Sequence, residues 1–398
     1  MRITYETHYR SSRKDGRHTA TMAAFLERLR QTAPSLTVPD NEDPDTFLKW
    51  RESLKQKVFA LLRLDVLLKE CENQPLPKQL STVQRDGYRV EKWEFYPDSF
   101  SAVRFLALIP DTASPDSPVP GVMCFPGSIF SKEFLAGEPL LDKPVCRFEK
   151  YPERNRMALH IVRNGMAVFA FDPLSIAECA LDIEAPANYG STARTQLCHG
   201  LIQNGFSYFG LSVAQKLCAL DFIKTLPFID TNKLAVSGHS LGCDDAMYIA
   251  LLRDEIKAVV FNDMVCDERH RYFSTTEYEE DKMCNHIGNW HEIPGSFQYY
   301  TRPDILAALA PKYLALNEGG AQIYLDKIQK AYSLFGKEDR LLITHYPKYQ
   351  NADTRSKQYE PPAFGLSDAA YLAFTNTDAP DHSFRAEPSV RLLNLAFK

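Results

Sequence analysis

Residues 233–263, KLAVSGHSLGCDDAMYIALLRDEIKAVVFND, place a serine between two glycines where an apolar β-type run turns into a helix. A turn that sharp leaves no room for side chains two residues to either side of Ser240, which accounts for Gly238 and Gly242. The order it imposes, strand then tight turn then helix, is the repeating unit of a sheet covered by helices.

That unit recurs along the chain. YRVEKWEFYP and SAVRFLALIP, separated by Asp-Ser-Phe, predict an antiparallel hairpin. The Pro-, Ser- and Asp-rich loop DTASPDSPVP then leads into GVMCF, an apolar run suited to a buried strand. Beyond it, helices at 153–164, 206–225, 241–252, 304–310 and 321–335 alternate with the strands AVFAFD, KLAVSG, KAVVFND, YLALN and LLITHYP. The expected fold is α/β, a mostly parallel central sheet flanked by helices.

Residues 1–85 read as a helical accessory segment without a strand, and 86–398 as the catalytic domain. Within the first part, Phe47, Trp50, Leu54, Val58, Leu61 and Leu62 fall at helical spacing behind an acidic first turn. Residues 173–204 and 264–303 break the alternation and are expected to be insertions at strand ends, where substrate pockets are built.

Composition narrows the partners. The formal charge is −5, with acidic and basic residues interspersed, so neither nucleic acid nor an anionic membrane surface is expected to bind. No segment approaches the roughly 18 apolar residues of a membrane span, and the N-terminus has no apolar core of a secretory signal. Nine cysteines lie scattered with no CxxC pair, a pattern that predicts reduced thiols and a cytoplasmic protein. No metal-ligand spacing occurs and no cofactor is expected; Asp244 and Asp245 are acidic residues of a first helical turn, favourable there without a ligand.

Ser240, exposed on a turn with a helix N-terminus behind it, is the candidate nucleophile. It needs a base, oriented in turn by an acid, in the chain order Ser, then Asp or Glu, then His. Four histidines lie beyond residue 280. His286 and His291 belong to the second insertion and His345 to the strand LLITHYP, whereas His382 falls in a turn just before the C-terminal helix, where a base is expected. Glu318, the first carboxylate after YLALN, is the favoured acid, and Asp263, at the end of VVFND, is its rival. Two backbone N–H groups must face the reacting oxygen; Leu241 supplies one, and Ser128 in the loop CFPGSIFSKE the other, with Gly127 admitting the substrate closely. Asp172 and Glu178 read as loop-organising carboxylates. Trp290 and Tyr299 are candidates for stacking on a sugar ring.

PGVMCFPGSIFSKEFLAGE, MALHIVRNGMAVFAFD, VSGHSLGCDDAMYIAL, YYTRPDILAALAPKYLALNEGG, YPKY and NTDAPDHSF together resemble the acetyl xylan esterase-like branch of the α/β-hydrolases. The resemblance covers residues 88–398 and extends to the helical N-terminal segment. It implies a serine esterase acting through an acyl-enzyme, with Ser240, a carboxylate and His382 as the triad and no metal. Many relatives carry an aspartate where Gln322 stands here. The glucuronoyl methylesterases have cysteine and arginine around their serine, in place of His239 and Leu241, and are a more distant match.

The leading expectation is therefore hydrolysis of a small carboxylic ester, most simply deacetylation of a sugar or oligosaccharide. A peptidase of the same fold is a second reading. A catalytically silent binding protein, motivated by Gln322, is a third.

Overall fold

The structure, a computed structural model, describes residues 11–40, 43–139, 153–180, 191–272, 288–361 and 367–398. Nine strands form one sheet in the order β1-β2-β3-β5-β4-β6-β7-β8-β9. They are β1 (Lys78–Arg85), β2 (Tyr88–Phe95), β3 (Val103–Pro110), β4 (Val119–Phe125), β5 (Ala167–Phe171), β6 (Ile229–His239), β7 (Ile256–Asn262), β8 (Tyr313–Leu316) and β9 (Leu341–Ile343). The first three strands and the β3–β5 contact are antiparallel; from β5 onward every neighbouring pair is parallel.

Period-two alternation sorts the central strands onto two faces. Met123, Phe125, Phe169, Phe171, Val236, Val259 and Phe261 point into one buried cluster, whereas Val122, Cys124, Val168, Ala170, Ala235, Ala258 and Val260 point into the other. The helices follow from the chain between strands: α1 (Thr21–Gln31), α2 (Pro44–Leu61), α3 (Leu64–Glu70), α4 (Lys132–Ala136), α5 (Met157–Val162), α6 (Ser191–Gln203), α7 (Tyr208–Ile223) and α8 (Gly242–Leu252). Then come α9 (Glu268–Tyr272), α10 (Arg302–Ala308), α11 (Gln322–Leu334), α12 (Asp368–Phe374) and α13 (Ala386–Ala396). The hairpin and the strand–helix alternation of the sequence are thus present, although His345 lies two residues past the end of β9 rather than within it.

The N-terminal segment departs from its expected character in two ways. It contributes β1, which pairs antiparallel with β2, so the sheet begins at Lys78 inside a stretch read as strandless. Its helices also share the main core: Phe47, Leu54, Val58, Leu62, Leu64 and Leu67 lie in the same cluster as the residues of α7 and α8. α2 starts where Asp43 accepts the Asp45 and Thr46 N–H groups ahead of Pro44, a strong N-cap followed by the residue that most favours the first helical position.

A disulfide joins Cys71, at the end of α3, to Cys218 in α7. This corrects the expectation of reduced thiols for these two residues, whereas Cys124, Cys179, Cys198, Cys243 and Cys266 are free. The two cysteines are 147 residues apart and meet only because the apolar face of α2 and α3 packs on the core, which no local spacing reveals. Closing so long a loop restricts the unfolded chain by up to about 5 kcal/mol in the chain-entropy picture. Replacing both Cys71 and Cys218 by serine is expected to cost about 2–5 kcal/mol in unfolding free energy, measured by urea denaturation. A midpoint unmoved by the double substitution and by reductant would show that the bridge does not form.

Among the described residues, no helix is long and apolar enough to cross a membrane.

Candidate active site

The sharp turn after β6 holds Ser240 at a φ of 52°, in the left-handed region that β-carbon-bearing residues avoid. A β-carbon at Gly238 would meet the Gly242 carbonyl at 2.4 Å, and one at Gly242 would meet the Phe125 carbonyl at 2.1 Å. Both glycines are therefore imposed by close packing of backbone against backbone. The Ser240 N–H donates to the Asn262 carbonyl at 3.1 Å, which ties the turn to the end of β7. Ser240 itself is half-buried.

Residue 127 touches this turn. A β-carbon on Gly127 would stand 3.4 Å from the Ser240 β-carbon, so the loop after β4 lies against the serine. Ser128 offers its carbonyl to the Arg194 guanidinium at 2.5 Å, and the Arg194 group in turn lies 4.8 Å over the Trp290 ring. Trp290 thereby braces this loop from behind. Leu241 is the N-cap of α8, and an N–H at the start of a helix has no intrahelical acceptor. Leu241 follows the serine, and Ser128 follows Gly127, the residue of the β4 loop that approaches it.

The far end of the same loop is anchored by charge. Lys132, fully buried, donates its N–H to Asp172 at 2.8 Å and its ammonium to the same carboxylate at 2.6 Å. Glu178 and Glu133 lie within 2.6 and 2.9 Å of that ammonium, and Glu178 also takes Lys92 and Arg104. Burial works against the charge of Lys132, but the surrounding carboxylates hold its pKa above the ordinary value. Burial would raise Glu178 too, yet Lys132 and the other cations hold it at about 2. Asp172 and Glu178 therefore organise the loop.

Past β8 the chain turns at Gly319 and Gly320, whose φ angles of 66° and 156° and contacts with His345 and Val265 leave no space for side chains. This turn delivers Glu318, fully buried, to His382: His382 Nδ1 and Glu318 Oε2 are 2.6 Å apart. Tyr346 donates its hydroxyl to the same Oε2 at 2.7 Å, and the Ser383 N–H donates to Oε1 at 3.1 Å. With Nδ1 donating to the carboxylate, Nε2 of His382 is left as the basic nitrogen. Burial pulls the His382 pKa down, but the Glu318 carboxylate outweighs it and the net value is raised above 6.5.

Asp263 also reaches this region, since its carboxylate, that of Glu318 and the His382 ring each have an atom within 4.8 Å of the others. Its partners differ. The Met264 N–H donates to it at 2.9 Å, and the guanidinium groups of Arg302 and Arg271 stand 3.6 and 3.8 Å away. A cavity of about 260 Å³ opens beside His382, lined among others by Asp263, Arg271, Tyr346, Tyr371 and Leu372.

The remaining sequence candidates are placed as follows. Asp244 pairs with Arg302 and with His291 Nδ1, each at 2.9 Å, and Asp245 pairs with Lys216 at 2.9 Å. Buried cations thus occupy both acids of that helical turn. Tyr299 faces the N-terminal segment, where Lys57 sits 4.2 Å over its ring, and neither Tyr299 nor Trp290 lines the cavity beside His382. Gln322 starts α11 and donates to Asp326 at 2.5 Å. His286 lies outside the described residues.

Two residues to which the sequence reading gave no role hold these parts together. His239, buried, stacks on His382 with ring centroids 4.7 Å apart, and burial pushes its pKa well below 6.5. Asn262, fully buried, donates its amide to His239 Nδ1 at 3.0 Å and to the Ser383 carbonyl at 3.0 Å, and accepts the Arg385 N–H at 2.8 Å. It links the serine turn to the histidine loop. The one sequence signal for Asn262 was its place at the carboxyl end of a parallel strand, where site residues collect.

The comparisons agree with this architecture. The profile of the Abhydrolase family matches residues 4–394. Among solved structures, a Bacteroides fragilis NCTC 9343 protein described, by inference, as an acetyl xylan esterase is 33% identical, with a TM-score of 0.88 and 97% of each chain covered. A methylesterase at 17% identity superposes with a TM-score of 0.57, covering 98% of this chain and 81% of its own. A glucuronoyl esterase from Teredinibacter turnerae T7901 at 13% identity does so with a TM-score of 0.52, covering 93% of this chain and 90% of its own; these two share the fold. Among curated proteins, none matches the chain. With a family profile spanning nearly its whole length and a close structural relative over 97% of it, the chain belongs to the Abhydrolase family, as an α/β-hydrolase of acetyl xylan esterase type.

Proposed function

We propose that the protein is a serine esterase that removes an acyl group, most simply acetyl, from a carbohydrate or other small alcohol through an acyl-enzyme. The observations that support this reading are the 2.6 Å pair of Glu318 and His382 and the left-handed Ser240, whose neighbour His239 stacks on the His382 ring. Ser240 Oγ attacks the ester carbonyl carbon while His382 Nε2 takes its proton. The carbonyl oxygen, now an anion, is met by the Leu241 and Ser128 N–H groups. Collapse of this intermediate expels the alcohol, which leaves with the proton from His382. Water then attacks the acyl carbon by the same route and releases the acid and Ser240.

The sugar part of the proposal is supported by the relative at 33% identity, described as an acetyl xylan esterase. It is also supported by the cavity beside His382, whose lining includes the aromatic rings of Tyr346 and Tyr371 and the charged groups of Asp263 and Arg271, residue types that can stack on and hydrogen-bond a sugar. The Cys71–Cys218 bridge fits an oxidising compartment better than the cytoplasm.

The test is hydrolysis of p-nitrophenyl acetate, together with mass spectrometry after a fluorophosphonate. Turnover and a single adduct on the peptide carrying Ser240 are expected. No turnover of acetate, butyrate or octanoate esters and no adduct would overturn the reading.

A further inference from the structure

We propose that Tyr346 is a positioning residue of the acid–base pair: its hydroxyl holds the Glu318 oxygen that faces His382 and thereby governs how tightly His382 keeps its proton. The inference rests on the proposed esterase reading for its effect on catalysis, but not for its effect on His382.

The geometry is specific. Glu318 presents one oxygen, Oε2, to both His382 at 2.6 Å and the Tyr346 hydroxyl at 2.7 Å. Its other oxygen is occupied by the Ser383 N–H at 3.1 Å and, more weakly, the Asn262 amide at 3.4 Å. Glu318 is fully buried, and among the described residues no lysine or arginine pairs with it, so neutral donors and the His382 ring bear its charge. Tyr346 is fully buried as well, and burial beside that carboxylate keeps its phenol protonated, with a pKa raised far above 10. It is a donor throughout the working pH range.

A carboxylate oxygen that accepts two hydrogen bonds offers less charge to each. Tyr346 thus competes with His382 for Oε2 while fixing where that oxygen points. The other groups that face the pair are His239 from β6, Cys243 from α8, Asp263 past β7, Arg271 from α9 and Arg385 before α13. Asp263 favours the imidazolium and Arg271 opposes it. The Arg385 guanidinium lies 5.3 Å over the Tyr346 ring, and the Asp263 charge acts on the Tyr346 hydroxyl. Substituting Tyr346 therefore alters one donor and leaves the remaining charges in place.

The sign follows from the balance at Oε2. In Tyr346→Phe the ring is kept and the donor lost, so His382 faces the full charge of the oxygen and its pKa rises by about one unit. The neutral ring is the general base, so the acidic limb of kcat/KM moves to higher pH by the same amount. Site-specific 3-fluorotyrosine at 346, a stronger donor of nearly the same shape, moves both in the opposite direction.

The experiment follows the His382 imidazole signals by NMR across pH in the wild type, in Tyr346→Phe and in the fluorotyrosine protein, with p-nitrophenyl acetate kinetics in parallel. Opposite displacements in the two altered proteins support the proposal. A His382 titration that stays put in both, or moves the same way in both, overturns it, whether or not activity falls. If Tyr346→Phe does not fold, the fluorotyrosine protein alone decides by its direction. If the wild type hydrolyses no ester, the NMR titration still reads Tyr346 and separates the two ideas.

Discussion

Replacing Ser240 with alanine is expected to lower kcat for p-nitrophenyl acetate by about 10⁵- to 10⁶-fold, the scale seen when a nucleophile of this type is removed. His382→Ala should fall by a similar factor, and the double variant scarcely further, because the two act as one unit. What survives would reflect the proposed Leu241 and Ser128 N–H donors and the cavity, which the alanines leave in place. Thermal unfolding checks the interpretation: Ser240→Ala removes a hydroxyl from a half-buried residue and should leave the midpoint close to the wild type, whereas His382→Ala strips the buried Glu318 of its partner and should lower it. A loss of only tenfold would mean that another residue carries the attack.

The second large effect separates the two carboxylates. Glu318→Gln is expected to reduce kcat by about 10³- to 10⁴-fold, since an amide in place of Oε2 no longer stabilises the imidazolium and can present the wrong group to Nδ1. Asp263→Asn should keep kcat within about tenfold and raise KM instead, because Asp263 lines the cavity and takes its hydrogen bond from Met264. The pattern can be read from steady-state kinetics alone. The reverse pattern, with kcat lost in Asp263→Asn and kept in Glu318→Gln, would make Asp263 the acid and leave Glu318 a buried structural carboxylate.

What could be read in the chain was what is local. The turn around Ser240 is written in five consecutive residues, and the strand–helix alternation in windows of a dozen, because glycine spacing and apolar periodicity act over those distances. The pairing of His382 with Glu318 was anticipated only as a choice between two acids. Distance in sequence hides it: 64 residues separate the partners, and the glycines after Glu318 set its direction. Asn262 had no motif, and Tyr346 stood in the quoted YPKY without a role assigned to it, since each acts through loops brought together by neighbouring strands of the sheet. The bond between Cys71 and Cys218 was opaque for the same reason. β1 was missed because it is an edge strand whose residues are nearly all exposed, so no apolar alternation marks it.

Ser240 sits in a conformation that a residue with a β-carbon adopts at a cost of roughly 1–2 kcal/mol, and the helix and strand around it hold it there. Glycine at 240 would relieve that cost and leave the turn intact. A lineage that kept this fold only as a scaffold for holding a ligand would therefore gain by drifting to glycine at this position. Retaining a serine in this region of the backbone, as the chain also does at Ser175, lowers stability, a loss that the proposed use of the Ser240 hydroxyl would offset.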